Sequence, residues 1–391
     1  MISRAPQAPR TALKGLLVAG LLALAGCQSG PSGDMADIPP PPSEPVAEAP
    51  APRTPDADAK NRVAVLVPLS GDNEAVGRSI ANAATMALLD TRDETIRITL
   101  YDTAATGGAR AAATQALAEG NRLFLGPLRG ENVTEVAALA KAADVPVISF
   151  SNDESVAGDN VYLMGFTPSQ SVVRAVDYAA SQGARTYAGL SPSGLYGQRT
   201  TQAFLRAVER AGGRVARLEN YDRSRASVES AARKVAGVSN LDMVLIADSG
   251  RIAQIAAPSL QLAGDLMGTE LWAADSDLGR VAPMRGAIFA AAPDVQFGRM
   301  ASRYRERYGA APYRLASLGY DAMLLVVRIA RDWDVGDDFP ERTLRDKGGF
   351  SGVDGIFRFG DDRIAERALE VRRVTASGTE VVSPASTRFD D

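Results

Sequence analysis

The sequence of 391 residues contains no histidine. That absence removes the commonest general base, the commonest metal ligand and the usual partner of a nucleophilic serine or cysteine. Cysteine occurs once, as Cys27, so an internal disulfide and every multi-cysteine zinc or iron-sulfur site are excluded. Positive charge is not in excess either. With 43 basic residues against 47 acidic ones, the net charge of -4 offers no basic stripe to neutralise a phosphate backbone. The apolar stretch 15–26 would rise only about 18 Å as a helix, against a hydrocarbon core of about 30 Å, so it cannot span a bilayer.

What is present begins with an export pattern. Arg4, Arg10 and Lys14 precede the apolar stretch and Cys27 closes it, the three-part layout of a signal segment over residues 1–26. Leu24-Ala25-Gly26-Cys27 resembles a bacterial lipobox, which implies a diacylglycerol on the Cys27 sulfur. Gln28 and Ser29 follow without an aspartate, and by the same resemblance this favours the outer membrane, facing the periplasm and held through the lipid alone. Residues 27–60 are rich in proline and alanine, with the run Pro39-Pro40-Pro41-Pro42 at their centre. Such a composition cannot build a core and is expected to form a disordered linker.

From residue 61 onward the pattern changes to short β-branched runs alternating with longer alanine-rich segments, the mark of repeated βα units on parallel sheets. Strands are expected at 63–67, 96–101, 123–125 and 147–149, then at 186–190, 215–220, 243–247 and 270–273. A helix is expected over 74–90, where Val76, Ile80, Ala83 and Ala87 keep helical spacing. The end from Gly355 reads as strands. These units make an α/β domain over residues 61–391.

Its motifs resemble a known family. Val63-Ala-Val-Leu-Val-Pro-Leu-Ser-Gly71, Gly126-Pro-Leu128, Val145-Pro-Val-Ile-Ser149, Tyr196-Gly197, Leu318-Gly-Tyr-Asp-Ala322 and Phe350-Ser-Gly-Val-Asp-Gly-Ile-Phe-Arg-Phe359 resemble, in order and spacing, the type 1 periplasmic binding proteins of the leucine-binding class. The resemblance implies a two-lobed periplasmic-binding-protein type 1 fold, each lobe a mostly parallel sheet flanked by helices. Lobe one is expected over about 61–180 plus 285–335, and lobe two over about 181–284 plus 336–391. Tyr101-Asp-Thr103, Gly126-Pro-Leu128 and Asn132-Val133 look most like the lipoprotein activators of penicillin-binding proteins. That likeness implies contact with a bifunctional peptidoglycan synthase. The alternative is the solute receptor of an ABC importer, which would work with an ABC permease and hold an amino acid or similar small polar ligand.

In such folds ligands sit outside the carboxyl ends of parallel strands, where helix N-termini present free N–H groups. The cleft candidates are therefore Ser70, Gly71, Arg129, Ser149, Ser151, Asn152, Tyr196, Asp248 and Asp275. By the resemblance, Ser149 and Ser151 would donate to a ligand carboxylate and Asp275 would pair with an ammonium. Asp153 brings a negative charge to the same region, which would repel a ligand carboxylate unless Arg129 offsets it.

Catalysis and cofactors are not expected. Ser191 and Ser193 lie in a glycine-rich turn without a nucleophile elbow, and no S-x-x-K pair occurs. Asp332, Asp334, Asp337 and Asp338 lack the central glycine and closing glutamate of a calcium loop, so a solvated loop and no metal is the expectation.

Overall fold

A computed structural model of the chain describes residues 59–389. Cys27, the signal segment and nearly all of the linker lie outside the described residues.

The chain opens with β1 (Asn61–Val67), α1 (Glu74–Thr91), β2 (Ile96–Asp102), α2 (Gly108–Ala118), β3 (Leu123–Leu125), α3 (Gly130–Ala142), β4 (Val147–Ser149) and β5 (Val161–Leu163). These strands form a five-stranded parallel sheet in the order β2-β1-β3-β4-β5. Val63 to Val67 are all wholly buried, because helices cover both faces of a parallel sheet and leave no solvent side. The turn after β1 is closed by α1 itself. A Cβ on Gly77 would lie 1.8 Å from the Pro68 carbonyl oxygen, so only glycine lets the helix approach so near.

A second sheet follows from α4 (Pro168–Ser181), β6 (Thr186–Pro192), α5 (Leu195–Arg210), β7 (Arg214–Tyr221), α6 (Arg225–Ala236), β8 (Met243–Ile246), α7 (Gly250–Leu260), β9 (Asp265–Gly268) and β10 (Ile288–Ala291). The chain continues through α8 (Val295–Tyr308), α9 (Ala316–Ile329), β11 (Phe350–Gly352), β12 (Gly355–Phe359), β13 (Ala365–Arg367), β14 (Glu370–Thr375) and β15 (Gly378–Ser383). The second sheet runs β15-β14-β10-β9-β8-β6-β7, with β14 and β15 antiparallel to their neighbours. A small antiparallel sheet, β11-β12-β13, stands apart. The result is the two-lobed type 1 arrangement of mostly parallel sheets flanked by helices.

Three expectations differ from this structure. Residues 270–273 are not a strand. The strand is β9, and Glu270–Ala274 is a 3-10 turn in which Trp272 folds back so closely that a Cβ on Gly268 would lie 2.2 Å from its ring. Helix α4 was expected in lobe one, yet its Val172, Ala175, Val176 and Ala179 pack with Tyr187 and Phe204 of the second lobe. Residues 285–335 and 336–391 are likewise each divided. β10 is the inner neighbour of β14 in the second sheet, whereas Phe350, Phe357 and Phe359 pack in the first lobe's core with α8 and α9. Sequence order could not assign these pieces, because the partner of each apolar face decides its lobe.

The chain therefore passes between lobes around Met164–Thr167, Ala292–Asp294 and Ala368–Leu369. Between sheets a carbonyl has no ladder partner, and a buried one must find another donor. Arginines supply it at each passage. Arg367 Nη2 donates to Met164 O at 2.7 Å, Arg372 Nη2 to Ala292 O at 2.7 Å and Arg174 Nε to Leu369 O at 3.1 Å. Arg367 is also sandwiched between the rings of Phe166 and Phe357. Arg314 lies 2.6 Å from the buried Asp354 and stacks over Phe297 at 4.2 Å.

Asp321 fixes the small sheet to α9. Its carboxylate accepts from Val353 N at 2.6 Å and Asp354 N at 3.2 Å. Burial, and then the neighbouring Asp354, push the Asp321 carboxyl up from its ordinary value.

Arg372 is 4% exposed, and besides Ala292 O it donates to Glu370 at 2.7 Å and meets Asp294. Arg372→Met would strand the buried Glu370 carboxylate, at an expected cost of about 3–5 kcal/mol. Urea unfolding of the variant should show a lowered midpoint with an unchanged slope. A midpoint equal to the parent would mean that the passage does not depend on this arginine.

Candidate binding cleft

The cleft candidates lie at or beyond the carboxyl ends of the parallel strands, Ser149 as the last residue of β4 and Tyr196 in the first turn of α5, but the side chains are not equally free. Ser70 and Arg129 line one recess of about 250 Å³ at the ends of β1 and β3, together with Thr103 and Asn132. Gly71 turns the chain there with a φ of 70°. Arg129 is half-exposed and pairs with Glu131 at 2.5 Å. The Ser149 hydroxyl donates to Pro127 O at 3.0 Å and accepts from Ser151 N, while the Ser151 hydroxyl accepts from Asp153 N at 3.1 Å. Those two serines hold the loop after β4 in shape. The Ser149 proton, being already engaged, is not spare for a ligand carboxylate. Asn152 is exposed.

In the second lobe Asp248 serves the fold. Its carboxylate takes Arg223 Nε at 2.7 Å, Tyr221 Oη at 3.2 Å and Ser249 N at 2.8 Å, and its carbonyl takes Trp272 Nε1 at 3.0 Å. Asp275 ends the 3-10 turn, its carboxylate lying where a side chain on Gly250 would have to go.

Tyr196 points instead toward Thr269 and Glu270. Its hydroxyl is 3.0 Å from Thr269 Oγ1 and 3.4 Å from Glu270 Oε1, and Ser171 Oγ donates to Glu270 Oε2 at 2.5 Å. Among the described residues no lysine or arginine reaches the Glu270 carboxyl. Burial pushes that carboxyl up from its usual value, against the hydrogen bond from Ser171. Burial pushes the Tyr196 hydroxyl up as well, reinforced by the nearby Glu270 charge. Both groups follow the ends of parallel strands. Glu270 escapes a reading of the sequence because residues 270–273 look there like the body of a strand.

The lobes meet through their own side chains. Arg199 of α5 lies 2.6 Å from Asp153 Oδ1 and donates to Ser155 Oγ at 3.0 Å. Ser169 of α4 donates to Glu154. The cation that offsets Asp153 is Arg199 and not Arg129, which is paired with Glu131. The position is legible afterwards: Arg199 follows Tyr196 by three residues and so shares its helix face. Although burial alone would raise it, the Asp153 carboxyl is held below its ordinary value by hydrogen bonds from Ser155 and Arg199.

A two-lobed α/β frame of mostly parallel sheets, with the candidate residues near the strand ends of both lobes, is the architecture of the type 1 periplasmic binding proteins. The chain belongs to the periplasmic binding protein family, whose pattern matches residues 60–379. Leucine binding protein LivK of Thermotoga maritima superposes with a TM-score of 0.62 at 21% identity, covering 83% of this chain and 98% of that one. Full-length LpoA of Haemophilus influenzae gives 0.65 at 20% identity, covering 83% of this chain and 59% of that one. The penicillin-binding protein activator LpoA of Photobacterium profundum is 26% identical over 184 residues, 46% of this chain and 30% of that protein. The chain matches less than half the length of its curated relatives.

Two outcomes are expected. Arg199→Ala should let the lobes separate, raising the radius of gyration in small-angle scattering; an unchanged radius would mean that other contacts hold them. For Glu270 the sign follows from the raised carboxyl. The folded state prefers the protonated acid, and this preference is lost as pH climbs above the ordinary carboxylate range. Glu270→Gln should therefore be more stable than the parent in urea melts near about pH 8 and equal to it near about pH 4. Equal stability at both would show that the buried carboxylate carries no penalty.

Proposed function

We propose that this chain is a non-catalytic envelope lipoprotein that regulates peptidoglycan synthesis as a penicillin-binding protein activator, by contact with a bifunctional peptidoglycan synthase. The observation that carries this reading is the Arg199–Asp153 pair, 2.6 Å apart across the cleft. The chain's own charges bridge the place where a solute would draw the lobes together, and Arg199, the cation nearest Asp153, is already spent on that carboxylate rather than free for a ligand carboxylate. The likeness to the LpoA proteins supports the class of partner. Lipidation of Cys27, an outer-membrane site and a spacer over 27–60 belong to the same proposal. The lack of histidine supports the absence of catalysis.

A second reading, a receptor of an ABC importer for amino acids or similar small polar solutes, draws on one different observation. The enclosed Glu270 carboxyl beside Tyr196, with no cation among the described residues, suits a ligand ammonium.

The two readings part in solution. Calorimetry of the full chain against the common amino acids should give no binding, whereas immobilised full chain should retain a bifunctional peptidoglycan synthase and stimulate its polymerisation of lipid-linked precursor. A micromolar amino acid would overturn the activator reading in favour of the receptor, which at saturation would gain several kcal/mol of stability.

A further inference from the structure

Outside the cleft candidates, a groove of about 770 Å³ opens on the first lobe beside β5. Its lining includes Tyr162 and Phe339, the single carboxylate Glu341, and three arginines, Arg342, Arg345 and Arg363. Glu341 is already engaged, accepting from Tyr162 Oη at 2.8 Å and Arg363 Nη1 at 2.7 Å. Among the described residues neither Arg342 nor Arg345 has a hydrogen-bond or ion-pair partner. The groove thus presents two unused guanidinium forks, and the volume falls in the range of sites that enclose a whole small ligand.

The geometry selects among anions. Arg342 and Arg345 stand on one 3-10 turn, Glu341–Arg345, where three residues per turn bring positions i and i+3 onto the same side, about 6 Å apart along the axis. Arg363 comes from a different part of the chain and reaches the start of that turn, donating to Glu341 at 2.7 Å. Its backbone holds a φ of 62°, a left-handed conformation uncommon for a residue with a Cβ. Leu163 N donates to its carbonyl at 2.8 Å, and its guanidinium lies 4.8 Å over the Tyr162 ring. The third cation is therefore fixed before any ligand arrives. In an extended peptide, side chains at i and i+2 share a face at a separation of about 6.6 Å, close to the spacing of the two free arginines, and each fork can take a carboxylate in bidentate fashion.

We propose that this groove binds an acidic peptide segment in extended form, with carboxylates at i and i+2 received by Arg342 and Arg345 and the strand running past Arg363. The site does not depend on whether the cleft takes a solute or on which synthase the chain contacts.

The test is fluorescence anisotropy of the full chain with a labelled peptide Gly-Ser-Gly-Asp-Val-Asp-Gly-Ser-Gly. Saturable binding is expected, weakened about tenfold or more when both aspartates become asparagine. The double variant Arg342→Ala/Arg345→Ala should weaken binding by a similar factor at an unchanged melting temperature, because both side chains are exposed and unpaired. Equal binding by the asparagine peptide, or by the double variant, would overturn the proposal. Displacement of the peptide by inorganic phosphate at the peptide's own concentration would overturn it too, in favour of a small-anion site.

Discussion

The structure depends on arginines, Arg367 and Arg372 buried and Arg174 half-buried, that satisfy backbone carbonyls where the chain leaves one sheet for the other. Each passage would otherwise strand a carbonyl in a dry interior, at a cost comparable to a lost hydrogen bond. Arg367, Arg372 and Arg174 reach Met164, Ala292 and Leu369 in turn. A guanidinium suits this task, since its several donors can serve a carbonyl and a carboxylate together, as Arg372 does with Ala292 and Glu370. The same contacts fix the directions in which the chain enters each lobe.

Two kinds of ion pair then do different things. At the passages Arg372 and Glu370 are nearly sealed from solvent, and such pairs are costly to break because the remaining charge is left dry. Across the cleft, Arg199 and Asp153 keep 25% and 19% of their side chains exposed, so water screens the pair and takes up either charge once it parts. The magnitudes separate a lasting joint from an exchangeable contact. A partner protein or a solute can compete with the second kind without disturbing the first.

Much of the fold was readable from periodicity. The uninterrupted apolar run of Val63 to Val67 signals a strand covered on both faces, and the spacing of Val76, Ile80 and Ala83 signals the helix behind it. The site was less readable. Asp248 and Ser149 follow strands as cleft residues should, but both spend their hydrogen bonds on the protein itself. Glu270 and Arg199 carry no local signal, because one sits in an apolar-looking run and the other is an ordinary arginine in the first turns of a helix. Nothing in a residue's type states whether its partner is internal.

The sequence by itself determined the class of fold, the alternation of strand and helix, and the exclusion of histidine and multi-cysteine chemistry, since these follow from residue type and local spacing. Only the tertiary structure decided which lobe holds α4, β10 and the β11–β13 sheet, which carboxylate Arg199 meets, and why three arginines converge on one groove. Those outcomes depend on contacts between residues far apart in the chain, such as Arg363 with Glu341 and Arg372 with Ala292. Local pattern carries no record of such contacts, because long-range packing and desolvation select the partner.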